Sequence, residues 1–100
     1  MNKILEVIMS ISLLINRKEN KLINMKNEEI LFFLNTIYEQ INNLFNDDLF
    51  FNKQYLGSVL CCSDDIKSII RQYQNDSNYN IVHDLKNVRN RLQSLMFRII

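Results

Sequence analysis

IVHDLKNVRNRLQSLMFRI, residues 81–99, sets Ile81, Leu85, Val88, Leu92, Leu95 and Ile99 at steps of four, three, four, three and four. An α-helix repeats about every 3.6 residues, so this spacing gathers all six side chains into one apolar seam. The pattern predicts a helix from about Tyr79 nearly to the C-terminus, and makes it the wall against which the others pack. Before it, Asn75-Asp76-Ser77-Asn78 reads as a loop. Further upstream, Ser63 reads as the N-cap of a helix, with Asp64 and Asp65 in its first turn and Ile66, Ile69, Ile70 and Tyr73 inside. A short helix capped by Asn52 and reaching about Leu60 precedes it, after a turn at Asn46-Asp47-Asp48 and the run Leu49, Phe50, Phe51.

The first half carries two longer helices. Asn27 reads as an N-cap with Glu28 and Glu29 behind it, where acidic groups suit the helix dipole. That helix extends to about Asn46 and buries Ile30, Leu34, Ile37, Tyr38, Ile41, Leu44 and Phe45. Residues 17–26, RKENKLINMK, break the pattern and connect it to a first helix spanning about Asn2 to Asn16. Glu6, Ser10 and Arg17 form a narrow polar stripe on this first helix and nearly everything else is apolar, so it belongs at the centre of the domain or at an interface. Its apolar run 4–15 is too short to cross a bilayer. Glu6 and the absence of a small-residue cleavage site in NRKENK favour a buried helix over a leader peptide. The expected architecture is all-α: a single compact bundle of four to five helices over residues 1–100. Three long helices form its walls and two short central helices close it.

Composition narrows the setting. Hydrophobic residues make up 47% of the 100, enough for one core. There is no Pro, one Gly and no Ala, while Asn, Ile and Lys abound, a bias that an AT-rich genome such as that of a phage or virus explains. Helices without Ala depend on packing more than on propensity. A net charge of +1 gives no general pull toward nucleic acid or anionic lipid. The adjacent pair Cys61-Cys62 lacks the spacing of a disulfide framework. A reducing, cytoplasmic location follows, including the inside of a host cell.

Four groups of residues invite a functional reading. Phe32 stands in the polar stripe of the second helix with Asn35 and Glu39, either covered by a neighbouring segment or exposed as an aromatic anchor. Lys86, Arg89, Arg91 and Arg98 form a basic set on the last helix, and its three arginines flank the seam, where their stems can cover the core edge and their heads can meet acidic partners. Gln54 to Tyr73, with Leu56-Gly57, Leu60 and a turn near Cys61-Cys62-Ser63, has the outline of a helix-turn-helix. Asp64 and Asp65 would there open the recognition helix and repel phosphates. His83 falls outside the seam and faces solvent, with Lys86, Asn87 and Asn90 on its side.

The run His83-Asp84-Leu85-Lys86-Asn87 resembles the phosphoacceptor box of sensor histidine kinases, and less closely that of histidine-phosphotransfer domains. The resemblance covers His83 to about Leu95. It implies His83 as the phosphoryl acceptor, with Lys86 and Asn87 beside it; phosphotransfer domains carry glycine at the position of Asn87.

One His and two adjacent Cys cannot supply a spaced zinc site, and both cysteines read as small buried residues at a helix end. No glycine-rich phosphate loop exists. The reading is therefore a protein without catalytic, metal or cofactor site: a small intracellular protein-binding module of the inhibitor, immunity or anti-defence kind. Its contact residues come from Phe32, Asn35 and Glu39 or from Lys86, Arg89 and Arg91, and the apolar first helix also allows a homodimer. Phosphotransfer at His83 and nucleic-acid binding by a helix-turn-helix are the alternatives.

Overall fold

The computed structural model describes residues 3–46 and 53–99. Four α-helices follow one another: α1 (Lys3–Glu19), α2 (Asn27–Asn43), α3 (Lys53–Asn75) and α4 (Ile81–Ile99), with a 3-10 turn at Leu44–Asn46 after α2. No strand occurs among the described residues. The close pairs are α1 with α2, α2 with α3, α3 with α4 and α4 with α1, so the helices form a closed ring around one core. The overall dimensions are 40 × 24 × 18 Å.

All four helices obey the same rule. Ile4, Ile8, Ile11 and Ile15 in α1, Ile30, Leu34, Ile37 and Ile41 in α2, and Ile81, Leu85, Val88, Leu92 and Leu95 in α4 are buried at alternating steps of four and three. Seams of that period let side chains of one helix fill gaps in the next, as in other antiparallel bundles. Each fully buried Leu or Ile contributes about 1.5–3 kcal/mol, which offsets the weak helix propensity of an Ala-free chain. Ile99, the sixth seam position expected in α4, has its side chain outside the described set.

The largest departure from expectation lies in α3. One uninterrupted helix of 23 residues replaces the two short helices and the turn at Cys61-Cys62-Ser63. Tyr55, Val59, Cys62, Ile66, Ile69 and Tyr73 carry a four-three seam through the presumed break, all packed in or against the core. Ser63 caps nothing. It is buried, and its hydroxyl donates to Asn42 Oδ1 of α2 at 2.9 Å. The helix-turn-helix reading of Gln54–Tyr73 fails with the turn. The expected turn at Asp47-Asp48, the Leu49–Phe51 run and the Asn52 cap lie outside the described residues.

Smaller corrections have local causes. α1 continues three residues past Asn16, to Glu19, and Asn20 closes the next turn by accepting the Leu22 N–H at 2.9 Å. α4 starts at Ile81, not Tyr79, because the Tyr79 N–H is taken by the Asp76 carbonyl in the loop while Asn80 Oδ1 accepts the Val82 N–H. Phe45, expected inside, is exposed. Asn27 is the first helical residue of α2 and Lys26 occupies the cap position without a side-chain bond. The Asn27 side chain instead accepts the buried Tyr73 hydroxyl at 2.6 Å, tying the end of α3 to the start of α2. Tyr73→Phe is therefore expected to cost about 1 kcal/mol in urea unfolding. In a double-mutant cycle with Asn27→Ala the losses should not add, whereas a capping role for Asn27 would make them additive.

Candidate functional site

The outward faces of the helices carry the side chains that the core does not use. On α2, Phe32 is 73% exposed. The covered alternative for this ring is set aside, and Asn35 and Glu39 are exposed beside it. The helix is braced there, since Thr36 Oγ1 donates to the Phe32 carbonyl and Asn35 Nδ2 to the Leu31 carbonyl, both at 2.9 Å. An aromatic ring held in water on a regular helix is a ready anchor for a partner's pocket.

The basic set on α4 is not one patch. Lys86 and Arg89 lean toward α1, where Lys86 Nζ meets Glu19 Oε2 at 3.3 Å and Arg89 Nη1 donates to Ser12 Oγ at 3.3 Å. Arg91 leans the other way, to Asp65 Oδ2 of α3 at 2.7 Å. These contacts fix α4 between its neighbours. The two ion pairs are exposed and worth about 0–1 kcal/mol each. They also neutralise two of the four cations expected to meet an acidic ligand.

His83 is exposed as expected, and Asn87 and Asn90 are exposed on its side. Lys86, the cation a phosphoacceptor would want beside the ring, is directed to Glu19 instead. Asn87 also lines a polar cleft of about 550 Å³ between α3 and α4, with Asp65, Gln72, Tyr79, Asp84 and Arg91. Its polar groups answer one another: Arg91 pairs with Asp65, and the Tyr79 hydroxyl donates to Asp84. That bond, then burial and the Asp84 charge, hold the Tyr79 phenol above its ordinary value. Such a self-satisfied cleft stabilises the α3–α4 corner more than it invites a ligand.

The cysteines split. Cys62 is buried in the α3 seam, but Cys61 is exposed in mid-helix, against the expectation that both are buried at a helix end. Among the described residues no group of three or more His, Cys, Asp or Glu could hold a metal ion. No described helix is long and apolar enough to cross a membrane.

Sequence reasoning missed the outward face of α1. One side of this helix is buried, while Met9 and Leu13 on the other are 62% and 44% exposed. On α4, Phe97 is 76% exposed. The signal was present as an apolar surface on nearly every side of the first helix, without a sign of which side faces out. Comparison of the chain with protein-family models, with curated proteins and with solved structures gives no match.

Proposed function

We propose that this chain is a small protein-binding module of the inhibitor, immunity or anti-defence kind, acting by occupying a surface of a larger protein. The observation that carries the reading is the exposed Phe32 ring, 73% in water on a helix whose opposite face already supplies the core. The part of the Phe32 ring left in water adds no buried area to the bundle. Presented rigidly, the ring loses little conformational entropy on binding. Function then rests on contact with a partner, through Phe32, Asn35 and Glu39 or through the α4 edge at Arg89.

Tagged protein recovered from its native cell, with co-purifying proteins quantified by mass spectrometry, tests this. Phe32→Ala is expected to deplete one partner by about thirtyfold, the effect of losing an aromatic anchor worth about 2 kcal/mol. Its thermal melt should stay close to that of the unaltered protein. If Phe32→Ala and Arg89→Glu both leave every co-purifying protein at its original level, the reading is wrong.

A further inference from the structure

From Val7 to Asn16, VIMSISLLIN, α1 carries no charged side chain. Met9, Ser12, Leu13 and Asn16 on its outward side line a shallow groove of about 430 Å³. At the edge of this groove stands Arg89. Its Nη1 reaches Ser12 Oγ, but its Nε is buried with no hydrogen-bond partner. Lys86 and Arg91 each have a carboxylate, whereas Arg89 has none among the described residues. With its Nε already inside the protein and a neutral hydroxyl as its partner, this half-buried guanidinium is an incompletely compensated cation, and a carboxylate brought to its outer Nη edge supplies the missing countercharge.

We propose that this groove docks an amphipathic helix of a partner protein that brings one Asp or Glu side chain to Arg89. The proposal rests on the protein-binding reading and deepens it by stating the partner's chemistry. An apolar groove accepts side chains spaced at helical intervals, and a carboxylate is the acceptor that matches the guanidinium fork. A second copy of this chain is the poorer occupant. Its own α1 offers no carboxylate between Glu6 and Glu19, and Glu19 is already held by Lys86. A lipid surface is also poorer, because headgroup binding draws on several unpaired cations around an apolar face. Here the net charge is +1, and the Lys86 beside Arg89 is paired.

The probe is a phage-displayed library of amphipathic helices about four turns long. Its apolar positions are fixed, and its flanking positions vary among Asp, Glu, Gln, Lys and Arg. Peptides selected on the immobilised protein are then synthesised and titrated by fluorescence anisotropy. Selected peptides should carry Asp or Glu at one flanking position, and its replacement by the amide should weaken binding about tenfold. Arg89→Glu should reverse the preference to Lys or Arg, and Arg89→Gln should abolish it. Met9→Asp should abolish binding altogether. Thermal melts of each variant confirm folding, and Arg89→Gln alone decides the matter if Arg89→Glu does not fold.

The proposal is overturned if no peptide is selected, if selected peptides show no acidic preference, or if that preference survives Arg89→Gln. It is also overturned by a dimer in sedimentation that Met9→Asp dissolves, or by Met9-dependent binding to phosphatidylserine vesicles. Peptides insensitive to Met9 and Arg89 but lost in Phe32→Ala would overturn this groove while leaving the protein-binding reading intact.

Discussion

Asp64→Pro is expected to destabilise the protein by about 3 kcal/mol or more. Asp64 is exposed and lies in the interior of the 23-residue α3, so the substitution removes no buried contact. Its effect comes from the backbone. Proline cannot donate the bond that residue 64 makes to the carbonyl four residues earlier, and its ring collides with that carbonyl. The alternative chain path predicts the reverse. If Ser63 capped a separate helix, Asp64 would be its first residue, where proline is favoured. Asp64→Ala at the same exposed position supplies the reference. Against it, Asp64→Pro should lower the thermal midpoint by roughly 15 °C, given 4–8 °C per kcal/mol in a domain of this size. A midpoint within a degree or two of the Ala variant would break α3 in two and restore the turn.

The same stretch shows why sequence misleads here. Ser63-Asp64-Asp65 has the local signature of a helix start, a hydroxyl followed by two acids. Local signals weigh less than burial, and the decisive residue is Cys62. Taken as an apolar side chain it joins Val59 to Ile66 at steps of three and four, and the seam never breaks. Ser63 is then turned toward α2, where Asn42 offers an acceptor 21 residues away in sequence. No local pattern announces such a partner. The four-three seams of α2 and α4, the existence of a loop before α4 (residues 76–80, with Asn75 still helical) and the outward position of His83 were legible because they depend only on residues close in the chain.

What the sequence withheld about the candidate site was likewise non-local. The basic residues of α4 were visible as a set of cations. Their separation between two neighbours was not, because Glu19 lies 67 residues from Lys86 and Asp65 lies 26 from Arg91. Nor does an all-round apolar helix state which side it buries. That depends on where α2 and α4 sit, and only the ring of four helices reveals Met9 and Leu13 as surface. Phe32 was a partial exception. Its polar surroundings on the helix projection raised the exposed position as one of two readings, and the absence of any covering neighbour among the described residues decides for it.

Raising the pH from 8 to 11 should remove about 2 kcal/mol of stability through Cys62 alone. The thiol is fully buried in the α3 seam, and burial raises its pKa from 9.0 to about 11. The negative charge of Asp65 and the neighbouring Cys61 add to the rise, and the Arg91 guanidinium opposes it. Above pH 9 the unfolded chain releases a proton that the folded chain retains until about pH 11. The unfolded state therefore gains free energy of ionisation that the folded state does not share. Stability is complete below the unfolded value and declines as pH rises to the folded one. The Tyr73 phenol, also raised by burial, pushes in the same direction at higher pH. Cys62→Ala isolates the thiol, since it leaves all four tyrosines in place. At pH 7 this variant should be about 1 kcal/mol less stable, the cost of a small cavity. Urea unfolding under reducing conditions should show the two stability curves converge as pH rises and cross before pH 11. Parallel curves would mean that water reaches the Cys62 sulfur, and that the α3 seam is not closed where it matters most.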